Sequence, residues 1–367
     1  MSEKSSPYSP NFIEKTRQDF VLSLKRIANG PVQQRVRETW SGEVLPAVSR
    51  ARGRAPQHWR EVAAPLAQTL PYRQWAVFTH HSQTMMWQAV EDTTRRVVPE
   101  AERRYRDARG GRTRGSLELD PDQTAPGPIS DTEIHRQPQG YAGQAQGEDL
   151  APGLRYHGAT LIYSVGKGRT HAATDGRGQL LIDEIAKRRP GFKPRRILDL
   201  GCGIGLHAQP IALAFPEAEY HAIDVAPGLL RYAHLLAEDR GVAIHFHQRD
   251  AADTKFEAAS FDLVISNILF HETSHERLPR ILRECRRVLA PGGLAVHADV
   301  ATQSTRLGLD DQVMNAWQDR WNGEPFWSAF AEYDMREQLL AAGFAAESVF
   351  AEHVKSGGGV SYVFGAG

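Results

Sequence analysis

An apolar run broken by a single acid, Arg196-Ile-Leu-Asp-Leu200, leads directly into Gly201-Cys-Gly-Ile-Gly205. No other stretch restricts the fold of this chain so strongly. A strand buried on both faces is written as a near-continuous apolar run. Glycines just after it let the backbone turn sharply and approach a ligand closely. Strand, glycine turn and following helix form the first crossover of a doubly wound α/β sheet, in which ligands lie beyond the carboxyl ends of the strands. Dinucleotide-binding domains of the hydride-transfer type use G-x-G-x-x-G at this point. Here the spacing is G-x-G-x-G with His207 and Ala208 next, so the third glycine is displaced and that class is set aside.

Beyond the turn, strand and helix patterns alternate, as in a parallel sheet covered by helices. Strands are expected at 196–200, 219–224, 243–248, 261–266 and 293–299, with helices at 206–215, 227–239 and 275–289 between them. Pro227-Gly228 and Pro291-Gly292 punctuate the pattern. A helix at 335–342 and two strands at 348–354 and 360–364, joined around Ser356-Gly-Gly-Gly359, complete it. Residues 11–107 read as helical. Phe12, Phe20, Val21, Leu24 and Ile27 mark an amphipathic first helix that should stop at Asn29-Gly30-Pro31. Further helices are expected at 32–50, 57–69 and 72–107. Between them and the sheet the chain becomes polar and rich in Gly and Pro, the composition of a linker, a disordered arm or a covering loop. The expected division is 1–107 helical, 108–153 linker or covering loop, and 154–367 sheet domain.

Four ordered segments resemble the class I S-adenosylmethionine-dependent methyltransferases. They are Asp199-Leu-Gly-Cys-Gly-Ile-Gly205, Tyr220-His-Ala-Ile-Asp224, the pair Asp250-Ala251, and Phe261-Asp-Leu-Val-Ile-Ser-Asn267 followed by Arg286-Arg-Val-Leu-Ala-Pro-Gly-Gly-Leu294. The core is most similar to the ubiquinone/menaquinone-type and natural-product enzymes. This resemblance implies a seven-stranded Rossmann-like sheet of order 3-2-1-4-5-7-6, with an N-terminal helical domain added. It also implies S-adenosylmethionine as cofactor. Gly201, Gly203 and Gly205 would then line its nucleoside, with Asp199 near the methionine moiety and Asp224 on both ribose hydroxyls. A carboxylate suits a diol because it accepts two hydrogen bonds at once. Asp250 would take the adenine amino group, or else cap a helix, with Ala251 against the ring. Asn267 would bond the cofactor or fix its loop. The segment from Tyr163 to His171 would close over the cofactor, with Lys167, Arg169 or His171 meeting its carboxylate.

Methyl transfer from a sulfonium is an in-line displacement, so the protein supplies alignment, dryness and, where needed, a base. His271, just after the fourth strand, is the candidate general base, with a capping or packing role as its alternative. His271-Glu-Thr-Ser-His275 also matches the H-E-x-x-H metalloprotease pattern. That pattern needs both histidines on one face of a continuous helix, and Thr273 or Ser274 is the expected helix start. Zinc hydrolysis is therefore set aside, and no residue is assigned to a metal. Two aromatic clusters are candidate acceptor walls: Trp75, His81 and Trp87 in the first, Trp321 and Trp327 in the second. Ordinary bundle core or a homodimer contact is the alternative for the first.

Composition narrows the partners. Residues 1–115 hold 20 Lys and Arg against 11 Asp and Glu within a chain of zero net charge, which keeps an RNA or protein methyltransferase as the alternative function. Yet Arg95, Arg96, Arg103, Arg104 and Arg106 are interleaved with acids, the pattern of a solvated helix face, so nucleic acid is not the expected partner. Two cysteines and no membrane-length apolar run fit a cytoplasmic protein. The expected activity is methylation of a small, largely apolar or aromatic molecule.

Overall fold

A computed structural model describes residues 6–138, 140–141, 149–166, 175–301, 307–356 and 359–367. Its strands are β1 (Ser116–Glu118), β2 (Arg196–Leu200), β3 (Glu219–Asp224), β4 (His245–Gln248), β5 (Phe261–Asn267), β6 (Leu289–Val300), β7 (Val349–Ser356) and β8 (Gly359–Ala366). They form one sheet in the order β1-β4-β3-β2-β5-β6-β8-β7. Strands β1 to β6 pair in parallel, and β8 runs antiparallel to both β6 and β7.

The apolar runs work as expected of strands buried on both faces. Successive side chains point to opposite sides of a sheet. Ile197, Ala222, Leu263 and Ile265 accordingly pack into one core with Leu181, Ile185 and Ile211. Leu198, Leu200, Ile223 and Val264 enter the other with Ile281, Leu282 and Phe364. Helix Pro227–Arg240 ends where Gly241 takes a left-handed φ of 71°, a common helix stop.

Three expectations change. The sheet has eight strands, because β1 comes from the stretch read as a linker: its Leu117 lies opposite Phe246 of β4. A three-residue edge strand carries too little periodicity to stand out in a sequence. The Asn29-Gly30-Pro31 stop does not end the first helix. Phe12–Ile27 continues through a widened π-turn, Ala28–Val32, into Gln33–Thr39. A proline ring clashes with the carbonyl four residues earlier in α geometry, and a π-turn supplies a local departure from that geometry. The apolar stripe of the first helix is also split, with Val21 buried. Phe12 is 86% and Phe20 59% exposed, while Glu14, Gln18 and Lys25 are buried.

Those buried polar groups are satisfied by the long helix Leu70–Gly110. Arg96 grips Glu14 at 2.7 Å, Gln18 reaches Thr93 at 3.1 Å, and Lys25 donates to Gln83 Oε1 at 2.9 Å. The Arg96 guanidinium holds the Glu14 carboxyl down at about 2. The long helix lies against Ala151–Gly166, which packs on Pro227–Arg240. The helical region and the sheet are thus joined through shared packing. No helix among the described residues is long and apolar enough to cross a membrane.

Candidate active site

One cavity of about 360 Å³ connects the glycine turn to the helical region. At one end it is lined by Gly201, Gly203, Asp224, Asp250, Ala251 and Leu269. At the other are Gln83, Trp87, His135, Tyr163, His271, Glu272, Asn322, Glu324 and Trp327.

The three glycines of the turn have positive φ of 68°, 56° and 69°, but they do different things. A Cβ on Gly203 would meet nothing within 4 Å, so this backbone faces open space. A Cβ on Gly205 would touch Phe246 and Ala233 at 3.4 and 3.5 Å, so this glycine serves the packing of the turn. Gly205 does not line the cavity, and its expected cofactor contact is corrected to a packing role. At the end of β3, Asp224 Oδ2 accepts from Gly203 N–H at 2.8 Å and Oδ1 from Ala226 N–H at 2.9 Å. Burial pushes its carboxyl up, partly offset by these backbone donors. Asp224 also lines the cavity.

Asp199 departs from expectation. It is fully buried, held by His207 Nε2 at 3.0 Å and Tyr220 Oη at 3.1 Å, and it does not line the cavity. Because side chains alternate across a strand, the acid just before the turn is committed to the sheet interior. Asn267 is also absent from the cavity wall; it ends β5 opposite Ala298, and Ile268 and Leu269 line the cavity instead. Asp250 does line it. Its Oδ1 accepts from Ala252 N–H at 2.8 Å, and its Oδ2 pairs with Arg277. Lys167, Arg169 and His171 lie outside the described residues.

The acceptor candidates separate cleanly. Trp87 and Trp327 line the cavity. Trp75 is bundle core, with its ring 5.6 Å from that of Trp317. His81 is exposed and Trp321 is 47% exposed, both off the cavity wall. A helix turns a new face every residue, so a cluster dense in sequence necessarily points in several directions.

His271 sits in a short 3-10 turn, Phe270–Glu272, and is 2% exposed. Its Nδ1 is 2.6 Å from Asp299 Oδ1, its Nε2 is 3.4 Å from Glu272, and the Trp327 ring lies edge-on at 5.2 Å. Burial alone would favour the neutral ring, yet the Asp299 and Glu272 carboxylates push its pKa well above the usual histidine value. The general-base expectation for His271 thus meets a ring whose Nδ1 is engaged by Asp299 and whose Nε2 lies beside Glu272. The other half of the metalloprotease pattern does not converge on it: His275 is exposed, in the turn before helix Leu278–Val288.

Residues that the sequence did not single out complete this end. His135 has a left-handed φ of 53°, and its carbonyl accepts from Trp87 Nε1 at 2.8 Å and Gln83 Nε2 at 2.9 Å. Its ring lies 3.0 Å from Glu272 and 2.8 Å from Glu324. Burial opposes the charge, but the two glutamates push the His135 imidazole up to about 10. Tyr163, which the sequence did mark as starting the segment over the cofactor, lines the cavity and bonds Gln83; burial raises its phenol far above the ordinary range. The wall also holds polar atoms with no partner among the described residues, namely Gln137 Oε1, Gln318 Oε1 and Asn322 Oδ1. Only the proximity of Glu272 to His271 was visible in the sequence; His135 and Glu324 lie in turn-rich segments with no periodic signal.

The arginines of the long helix are internally matched, Arg95 with Glu91 at 3.0 Å and Arg103 with Glu100 at 2.6 Å, and Arg104 pairs with Asp239.

Comparison with known proteins agrees with this fold. Residues 197–293 match the family described as "Methyltransferase domain".

This segment is a class I S-adenosylmethionine-dependent methyltransferase domain.

The chain is 32% identical to a malonyl-[acyl-carrier protein] O-methyltransferase of Halorhodospira halophila over 41% of this chain and 48% of that protein. It is 31% identical to a ubiquinone biosynthesis O-methyltransferase of Cereibacter sphaeroides over 41% and 59% of the two chains. It is 39% identical to a demethylmenaquinone methyltransferase of Thermus thermophilus over 28% and 46%. The chain thus spans about half the length of these relatives. The methyltransferase domain supplies the glycine turn, Asp224, Asp250 and His271, whereas His135 and Glu324 lie outside its matched residues.

Proposed function

We propose that the chain transfers a methyl group from S-adenosylmethionine to a small molecule held between the methyltransferase domain and the helical region. The observation that carries this reading is the single cavity joining open backbone at Gly203 and Asp224 to the enclosed wall of His271, Trp87 and Trp327. The residues present fit the cofactor. Gly203 leaves the space that a side chain would fill, and Asp224, Asp250 and Ala251 continue the same wall. When bound, the sulfonium supplies an already activated methyl group. The protein's part is alignment and exclusion of water, the contributions that in-line displacement demands.

The acceptor end is more polar than the sequence implied. Trp87 and Trp327 offer flat apolar walls, while Gln137 Oε1, Gln318 Oε1 and Asn322 Oδ1 are acceptors awaiting a donor. Leaving such atoms unmet costs about 1–3 kcal/mol each. The acceptor that suits this wall has an aromatic or unsaturated body and one or more hydroxyl or N–H groups. The names of the relatives include malonyl-[acyl-carrier protein], ubiquinone biosynthesis and demethylmenaquinone, the first a malonyl group carried on a protein. His271, locked by Asp299, acts in this reading as a positioning group beside the acceptor. Internal pairing of the long-helix arginines weighs against a nucleic-acid grip.

The test is calorimetric titration of the chain with S-adenosylmethionine and S-adenosylhomocysteine, followed by transfer of a labelled methyl group to hydroxylated aromatic acceptors, RNA and protein. Saturable heat with label on a small acceptor is expected. Absence of heat from both ligands, or label confined to macromolecules, would overturn the reading.

A further inference from the structure

The buried cluster at the acceptor end contains more ligating groups than methyl transfer requires. His135, His271, Glu272 and Glu324 each present one donor atom, and all four atoms lie within 4.8 Å of one another. Three parts of the chain converge to make it: the turn at 134–136, the turn after β5, and the segment after helix Leu309–Trp321. We propose that these four residues bind one divalent first-row transition ion, and that the ion holds the polar head of the acceptor.

Glu272 Oε1 lies 3.0 Å from His135 Nε2 and 3.4 Å from His271 Nε2, separations that would suit plain ion pairs as well as the edges of a coordination shell. Bonds of about 2.0–2.2 Å from imidazole and carboxylate ligands give edges of roughly 3 Å. The unmatched atoms distinguish the two. Glu272 is 7% exposed and Glu324 2% exposed, and the Oε2 atom of each is buried with no hydrogen-bond partner among the described residues. A carboxylate oxygen in that position costs free energy unless a cation meets it. His135 Nδ1 shows the same pattern: it lies 2.8 Å from Glu324 Oε1 without forming an aligned hydrogen bond.

The surroundings are those of a metal site. The far nitrogen of a ligating histidine usually faces a carboxylate that fixes its tautomer. His271 Nδ1 faces Asp299 Oδ1 at 2.6 Å, which leaves Nε2 for the ion. Glu324 is steadied by Asn322 Nδ2 at 2.8 Å, and Tyr141 Oη donates to Glu272 at 3.3 Å. Two imidazoles and two carboxylates form a borderline donor set that takes zinc, manganese, cobalt or iron(II) in preference to calcium. All four residues line the cavity, so an open coordination position would face the acceptor. Binding displaces a proton from each ring, because a histidine ligates only as the neutral imidazole. The ion would then act as a Lewis acid on an acceptor hydroxyl, lowering its pKa so that the proton passes to solvent and the resulting alkoxide or phenolate oxygen forms the O–CH3 bond as the S–CH3 bond of S-adenosylmethionine breaks, leaving S-adenosylhomocysteine.

Ion binding stands on the geometry alone, whereas its effect on the acceptor rests on the proposed methyl transfer. The full chain is therefore stripped with a chelator and titrated with Co²⁺, followed by visible absorption, with Zn²⁺ as competitor. One ion per chain is expected, with d–d bands of a nitrogen–oxygen site that Zn²⁺ abolishes. Glu324→Gln and His135→Gln should weaken binding more than 100-fold, and Asp299→Asn by roughly 10- to 100-fold. Calorimetry with S-adenosylhomocysteine on the same variants reports separately on folding and on the cofactor site. Should the variants fail to fold, NMR of the wild-type Co²⁺ form decides: two hyperfine-shifted imidazole N–H signals are expected. No stoichiometric Co²⁺ binding, unchanged affinity in folded variants, or no shifted imidazole signals would each overturn the proposal.

Discussion

Replacing Gly203 or Gly205 with alanine separates the cost of the turn from the cost to the cofactor. Both residues have positive φ, 56° and 69°, and alanine in the left-handed region costs roughly 1–2 kcal/mol. Neither new methyl group collides with the protein. At 203 nothing lies within 4 Å, and at 205 the nearest atoms, on Phe246, stand at an ordinary 3.4 Å. The two variants should therefore lose similar stability, a few degrees of Tm in a chain of this size. Binding should differ. The methyl at 203 enters the cavity that Gly203 lines, while that at 205 packs against the sheet. Forcing a methyl into occupied space costs about 1–3 kcal/mol, which corresponds to a roughly 5- to 150-fold higher Kd at 1.4 kcal/mol per decade. Calorimetric titration with S-adenosylhomocysteine measures this directly, with thermal denaturation as the control. Equal losses of affinity in the two variants, or none in Gly203→Ala, would refute the assignment of the open backbone at 203 to the nucleoside.

Acid stability gives a second check, since burial lowers His157, beside Tyr232, to about 4 and His297, beside Ser266, to about 3. A histidine whose folded pKa is depressed contributes full stability above its unfolded value near 6.5, and loses it as pH falls toward the folded value. On the order of 2 kcal/mol each should be gone by pH 5; a Tm that stays flat between pH 7 and pH 5 would contradict this. Trp75→Ala should destabilise the chain by about 3–5 kcal/mol with cofactor affinity kept, whereas Trp321→Ala should leave Tm almost unchanged; denaturant titration ranks them. Trp327→Ala should abolish transfer to the acceptor and spare S-adenosylhomocysteine binding, as transfer assays and calorimetry on one preparation would show. Cys202 and Cys285 are buried, with burial pushing the Cys285 thiol up to about 12, so neither should react with a thiol reagent until the chain unfolds.

What the order of residues determined by itself is what depends on neighbours along the chain. The alternation of Ile197 and Leu198 into opposite cores, the turn at 201–205, the acid ending β3 and the closing strands β7 and β8 all follow from periods of two or 3.6 residues and from the special φ of glycine. These features carry the cofactor end of the cavity. Where local rules misled, a neighbour in space had won. Pro31 stays within a helix because the turn widens, Phe12 and Phe20 face outward because Glu14, Gln18 and Lys25 find partners on the long helix, and Asp199 serves Tyr220 and His207. The acceptor end depended wholly on tertiary structure. His135, Glu272 and Glu324 come from three separate segments of the chain, and only the packing of the helical region onto the sheet brings their donor atoms within 4.8 Å. Chemistry assembled from loops leaves no repeating pattern in the chain, because nothing but the finished fold relates one loop to another.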